Sequence, residues 1–219
     1  MRYLPVMLDL AGRLVLVVGG GTVATRKVSR LLEAGARVRV VAIDVAGALR
    51  SLVQEDGPVE LHQRPFDAAD LEGVSLVFSA TGDLAVEQAV FDEAERRGLW
   101  VNAADEVERC SFLMPAALER GPLQVAVSTG GASPTLATRV RDEIDATLGE
   151  EYVVAVELLG RLRETLPPGA GRARAFADLL DGGLLEAIRQ GDDARVERMA
   201  EGARRGLARA ASQGGEGEG

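Results

Sequence analysis

One cysteine, one histidine and one lysine occur among the 219 residues, and each scarcity excludes something. A lone thiol, Cys110, leaves no partner for an internal disulfide, and a lone imidazole, His62, excludes a multi-histidine metal site. No apolar run approaches the ~18 residues of a membrane span. The opening residues Met1-Arg2-Tyr3-Leu4-Pro5-Val6 carry no signal-peptide pattern, so a cytoplasmic protein is expected, with no membrane partner. A net charge of −9 argues against nucleic-acid binding. Lys27 is the only lysine among 25 basic side chains; arginine, which supplies the others, suits bidentate binding of carboxylates.

What the chain does have is organised around Leu14-Val15-Leu16-Val17-Val18 and the glycines behind it. Five consecutive apolar residues predict a strand buried on both faces, as in a parallel sheet. Gly19, Gly21 and Ala24 then read as G-x-G-x-x-A, with a helix expected over residues 22–34. In that motif Gly19 permits the tight turn, Gly21 lets a pyrophosphate approach the backbone, and Ala24 lets the helix pack on the strand. The helix start offers unpaired N–H groups to the phosphates.

Further strands are expected at 37–42, 60–63, 76–80 and 99–102, with helices at 45–54 and 84–97 between them. Residues 3–8 are expected to pair or pack at the sheet edge. This alternation predicts an α/β fold with a Rossmann-type parallel sheet, whose ligands bind beyond the carboxyl ends of the strands. Four loops converge there: 19–22, 43–44, 81–83 and 102–106. Asp44 is either the carboxylate that holds the ribose hydroxyls or the N-cap of the 45–54 helix. Thr81 and Asp83 are expected to line the cofactor cleft.

Beyond Asp105 the rhythm changes. Residues 112–115 and 123–128 read as strands with no helix between them. Ser133 and Pro134 are the N-cap and first residue of a helix to about Leu148, with Leu136, Val140, Ile144 and Leu148 along one face. Helices at 152–166, 172–180, 184–189 and 194–211 carry no catalytic grouping and read as packing or oligomerisation elements. The Ser/Gln/Gly/Glu run 212–219 is expected to be disordered. The division expected is a nucleotide-binding domain over 1–113, a central dimerisation segment over 114–149, a helical region over 150–211, and the tail.

Three further stretches carry a resemblance: Asn102-Ala103-Ala104-Asp105, Cys110-Ser111-Phe112-Leu113-Met114-Pro115, and Val125-Ala126-Val127-Ser128-Thr129-Gly130-Gly131-Ala132-Ser133-Pro134. With Tyr3-Leu4-Pro5-Val6 and the run from Gly19 to Lys27, the sequence resembles the precorrin-2 dehydrogenase family, the NAD-dependent part of siroheme synthases. The likeness covers residues 1 to 148. It implies oxidation of precorrin-2, an anionic tetrapyrrole with eight carboxylates, to sirohydrochlorin with NAD⁺ as hydride acceptor, and an intertwined homodimer. In some members metal insertion follows at the same site. The essential aspartate of the family falls on Asp105, and the cofactor contacts fall on Thr22, Val23, Ile43 and Asp44. A serine phosphorylated in some fused members corresponds to Thr129. Two valines common around the aspartate are replaced by Ala103 and Ala104. No segment resembles the methyltransferase domain of fused members, so synthesis of precorrin-2 is not expected of this chain.

Asp105, at the end of the fifth strand, stands where it accepts a proton or orients a pyrrole N–H. Asn102, Ser128 and Thr129 are expected to contact substrate, and Arg109, Arg120, Arg139 and Arg141 to bind its carboxylates. Cys110 lacks the partners of a nucleophile and reads as structural. His62 belongs to the third strand, away from the cleft, so chelatase activity is expected to be weak or absent. The alternatives are a non-catalytic NAD(H)-sensing module acting through its C-terminal helices, a dehydrogenase of some smaller metabolite, and a bifunctional dehydrogenase/ferrochelatase.

Overall fold

The computed structural model describes residues 2–103 and 107–214, and they divide into two compact units, one ending at Met114 and one beginning at Pro115. The first unit is a five-stranded sheet in the order β3-β2-β1-β4-β5. The strands are β1 (Leu14–Val18), β2 (Arg37–Val41), β3 (Val59–His62), β4 (Leu76–Ser79) and β5 (Trp100–Ala103), and every pairing is parallel.

The unbroken apolar run of β1 follows from its central place. Val15 and Val17 join one core, and Leu16 and Val18 join another on the opposite face. The first core takes Ala24, Val28 and Leu31 from α1 (Thr22–Glu33) and Leu49 from the short α2 (Gly47–Arg50). The second takes Val90 and Ala94 from α3 (Leu84–Arg96). Chain order reverses between β1 and β4, so the crevice between their carboxyl ends is the topological switch point.

Three expectations are corrected. The helix expected over 45–54 is a single turn, and its start is set back to Gly47, because Ala46 N–H donates to Gly20 O at 2.8 Å and Ala46 is the extended N-cap. Residues 112–115 do not form a strand. The Phe112 ring packs edge-on against Phe78 at 5.3 Å and its carbonyl accepts from Asn102 Nδ2. Residues 3–8 join no sheet, and Leu4, Val6, Met7 and Leu8 are exposed. The segment is tethered instead by Tyr3 Oη donating to Cys110 O and by Leu10 packing on the first core.

In the second unit β6 (Ala116–Arg120) and β7 (Leu123–Val127) form an antiparallel ribbon, with α4 (Pro134–Asp145) packed on it. β6 had no counterpart among the expected strands. Ser133 caps α4, its Oγ accepting from Leu136 N–H, and Pro134 is its first residue. The buried residue of α4 is Ala137; Leu136 is exposed, and Leu148 lies beyond the helix end. The helices α5 (Glu150–Thr165), α6 (Ala170–Asp181), α7 (Leu184–Arg189) and α8 (Asp193–Gly214) follow, α5 to α8 enclosing a core around Leu158, Leu162 and Leu184. α8 takes in residues 212–214 of the expected tail, and 215–219 lie outside the described residues. No helix among the described residues is long and apolar enough to cross a membrane.

Candidate functional site: a dinucleotide cleft at the sheet edge

Each of the three glycines after β1 has a different physical task. Gly19 has φ +121°, and a β-carbon there would overlap the Ala80 carbonyl at the end of β4. At Gly20 a β-carbon would overlap the Asp44 carbonyl and crowd Ala42 Cβ and Val45 Cα. Gly21 is the N-cap of α1, and nothing lies within 4 Å of a β-carbon built on it. So Gly19 and Gly20 bring the ends of β1, β2 and β4 together, while Gly21 leaves open space at a helix start that has no side-chain cap and no acidic residue in its first turn. Ala24 is fully buried behind it, and Thr22 and Val23 stand exposed on the first turn.

These loops border a cleft of about 890 Å³. Ile43 and Asp44 form one lip, both exposed. Among the described residues no hydrogen bond or ion pair occupies the Asp44 carboxylate, and the N-cap of α2 is Ala46, so the capping alternative for Asp44 falls away. The opposite wall is the start of α3, with Ala85, Val86 and Ala89. Thr81 and Asp83 lie at its foot. Asp83 caps α3 through Oδ1, which accepts from Ala85 and Val86 N–H, and Thr81 Oγ1 accepts from Asp83 N–H. The buried Glu87 pins this turn by accepting from Gly82 N–H at 3.2 Å. Asp83 and Thr81 thus shape the cleft with side chains already spent on the loop.

Sequence reasoning missed the floor, Arg64, Pro65 and Phe66. The signal was available, since this loop follows β3 at the same sheet edge as the four that were named. Arg64 is held by two hydrogen bonds to the buried Asp70, at 2.8 and 2.5 Å. Burial pushes the Asp70 carboxyl up. The Arg64 hydrogen bonds, the Asp67 N–H and the charges of Arg64 and His62 outweigh burial, and its pKa ends below the ordinary value. A carboxyl with a depressed folded-state pKa adds stability that is present above about pH 4 and is lost as pH falls through the lowered value. Asp70→Asn is therefore expected to cost about 1–2 kcal/mol at neutral pH, Arg64 being half-exposed. Thermal melts of the two proteins should keep their gap down to about pH 4 and converge as the pH falls further through the lowered value; a gap that persists on strong acidification would reject this account.

The end of β5 forms a second cluster. Lys27 Nζ donates to Asn102 Oδ1 at 2.7 Å. Asn102 Nδ2 donates to Phe112 O at 3.0 Å and reaches Cys110 Sγ at 3.6 Å. Asn102 is buried, with its amide oxygen accepting from Lys27 and its amide nitrogen donating to Phe112 O. Cys110 is buried too, its Sγ donating to Ala103 O at 3.2 Å, and burial pushes its thiol pKa up, as befits a structural residue. His62 is paired with Glu60 at 2.7 Å. Asp105 lies outside the described residues.

The expected carboxylate-binding arginines are not one cluster. Arg109 belongs to the first unit and the other three to the second. Arg120 is paired with Asp145 at 2.9 Å, Arg139 with Glu143 and Arg141 with Asp142. Ser128 Oγ accepts from Gly130 N–H, and Thr129 Oγ1 exchanges hydrogen bonds with the Ser133 backbone, so both brace the loop before α4. Among the described residues no group of three or more His, Cys, Asp or Glu is arranged to hold a metal ion.

The family model described as "Putative NAD(P)-binding" matches residues 6–116, just over half of the chain, and the one described as "Sirohaem biosynthesis protein central" matches 120–147. The chain belongs to the siroheme synthase and precorrin-2 dehydrogenase family. It is 38% identical over 205 residues to siroheme synthase 1 of Serratia proteamaculans, covering 92% of this chain and 43% of that protein. To the siroheme synthase of Methylococcus capsulatus it is 38% identical over 203 residues, covering 91% and 43%. The chain thus spans less than half the length of these curated relatives. A solved structure titled SirC, precorrin-2 dehydrogenase, superposes with a TM-score of 0.76 at 28% identity, covering 93% of this chain and 100% of that one. The nucleotide-binding fold of the family and its NAD(P) cleft are the unit that the glycine loop organises. The residues present suit such a cofactor: Gly21 opens α1 with no side-chain cap, and the space where its β-carbon would stand is empty, so a pyrophosphate can approach a helix start there.

Proposed function

We propose that the protein oxidises precorrin-2 to sirohydrochlorin in tetrapyrrole biosynthesis, with NAD⁺ as electron acceptor. The observation that carries the reading is the cleft at the β1/β4 switch point, with Gly21 open above α1 and Asp44 on its lip. The likeness to SirC over the whole of that chain supports the substrate assignment.

The bound nicotinamide supplies the hydride acceptor. The backbone at Gly21 and the start of α1 hold the pyrophosphate, and Asp44 accepts hydrogen bonds from the ribose hydroxyls. Ala85, Val86 and Ala89 would give a bound dinucleotide an apolar wall. Removing two hydrogens from the macrocycle sends one out as a hydride and leaves one proton to be taken, and Asp105 accepts it as general base. Incubation with precorrin-2 and NAD⁺, following the absorbance of sirohydrochlorin, tests the reading; no product above the uncatalysed rate would reject it.

NAD⁺ is the cofactor proposed rather than NADP⁺. Asp44 repels a 2′-phosphate. Arg39, on the strand that precedes Asp44, is spent on Glu60 and on the carbonyls of Asp70 and Glu72, and Arg37 sits at the amino end of β2, away from the cleft. A kcat/KM at least about tenfold higher with NAD⁺ is expected, the size of one lost charge interaction; equal or better use of NADP⁺ would overturn it.

The homodimer is likewise proposed. Both outer edges of the β6–β7 ribbon lack a strand neighbour among the described residues, and Leu136 on α4 is exposed. Such edges pair readily with a second copy.

A further inference from the structure

The floor of the cleft has no task in the proposed reaction. Arg64 lies there on the loop after β3, beside Pro65 and Phe66. β3 pairs with β2 in parallel, His62 opposite Val41, so the chain leaves the sheet for Arg64 next to the point where it leaves for Ile43 and Asp44. The two loops are tied, Gln63 Nε2 donating to Ile43 O at 3.1 Å. Arg64 therefore stands at the end of the cleft that a ribose-binding Asp44 makes the adenosine side. The wall opposite that lip is apolar, with Ala85, Val86 and Ala89.

The Arg64 side chain is held as a plane. Its Nη1 and Nη2 donate to the two carboxylate oxygens of Asp70 at 2.8 and 2.5 Å, and Nη1 donates also to Pro65 O at 3.0 Å. Asp70 is 3% exposed and is itself fixed by the Asp67 N–H, whereas the arginine side chain is 42% exposed. Three of its five N–H groups are thus spent and its charge is matched, which leaves little for a phosphate. What such an arginine still offers a ligand is the face of its guanidinium, and that face suits a flat ring. Arg50, also on the border of the cleft, is a contrast: it is exposed and bonded through Nη2 to the neutral Gln63.

We infer that Arg64 seats the adenine of the dinucleotide, its guanidinium plane, locked by Asp70, stacking on the purine. The inference rests on the dinucleotide reading of the cleft and is independent of the tetrapyrrole substrate.

Calorimetry with NAD⁺, ADP-ribose and nicotinamide mononucleotide on the wild type, Arg64→Lys, Arg64→Ala and Arg50→Ala tests this. Arg64→Lys keeps the charge and a donor for Asp70, so it should melt like the wild type, but its ammonium has no plane. Both Arg64 variants should bind NAD⁺ and ADP-ribose about tenfold or more weakly, the scale of one lost stacking contact on a base. Nicotinamide mononucleotide, which has no adenine, should bind all four proteins within about threefold. Where Arg64→Ala melts too low to titrate, Arg64→Lys decides. Full NAD⁺ affinity in Arg64→Lys would overturn the inference, because charge rather than a plane would then suffice. So would a parallel loss of mononucleotide affinity, which marks a distorted loop, or a loss in Arg50→Ala in place of the Arg64 variants. A wild type that binds neither NAD⁺ nor ADP-ribose removes the cofactor reading and this inference with it. If the wild type binds both and the Arg64 variants bind them equally well, the inference alone falls.

Discussion

Asp105→Asn should bind NAD⁺ like the wild type and oxidise precorrin-2 about 10²–10⁴ times more slowly, the loss that follows removal of a general base. In free energy this is roughly 3–5 kcal/mol of barrier. Asparagine nearly conserves the shape of aspartate, so the fold and the cleft bordered by Gly21 and Asp44 should be untouched. What disappears is the negative charge and the capacity to take a proton. The check is paired: calorimetry for NAD⁺ and absorbance of sirohydrochlorin for turnover. Turnover within a few-fold of wild type would remove Asp105 from the mechanism while leaving the cofactor assignment standing.

The second large effect separates two adjacent glycines. At Gly20 a β-carbon overlaps the Asp44 carbonyl and crowds Ala42 and Val45, all backbone or short side chain with no room to rotate away. Gly20→Ala should therefore cost stability, about 1–3 kcal/mol as for overpacking elsewhere, and weaken NAD⁺ binding as the Asp44 loop shifts. Gly21→Asp should do the reverse to the fold. Its side chain enters open space and supplies the N-cap that α1 lacks, worth a few tenths of a kcal/mol. The same carboxylate occupies the pyrophosphate position, and NAD⁺ binding should fall by at least about 10²-fold, the scale of a lost or opposed charge contact. Melting temperatures moving in opposite directions, with affinity falling in both variants, is the expected pattern. A Gly21→Asp protein that still binds NAD⁺ would mean the phosphates lie elsewhere.

These glycines also show where the sequence was legible. A strand buried on both faces announces itself by composition, and β1 begins and ends where the apolar run does. Gly19 and Gly21 were read from the motif, but Gly20 occupies a variable position in it. Its constraint is the Asp44 carbonyl, a neighbour 24 residues along the chain that no local pattern encodes. A second long-range tie, Ala46 N–H to Gly20 O, moved the start of the helix expected over 45–54 to Gly47. Phe112 looked like strand because it is apolar and followed by other apolar residues; its ring was claimed by Phe78 and its carbonyl by Asn102. Lys27 stood out as a rarity, but only the fold brings it to Phe78 and Asn102. Capping, by contrast, is local chemistry, and Ser133-Pro134 opened α4 as read.

The break after Met114 has a thermodynamic consequence. The cores around β1 draw on residues 10–112, and the helical core draws on residues 155–207, with no side chain in common. Among the described residues, each unit thus has a core of its own. All-or-none melting is a property of one shared core, so heat should meet two cooperative structures in this chain. A single midpoint would then average unlike events. Changes at Gly20, Gly21 or Asp70 belong to the transition of the first unit alone, and the second transition serves as an internal reference against which they are measured.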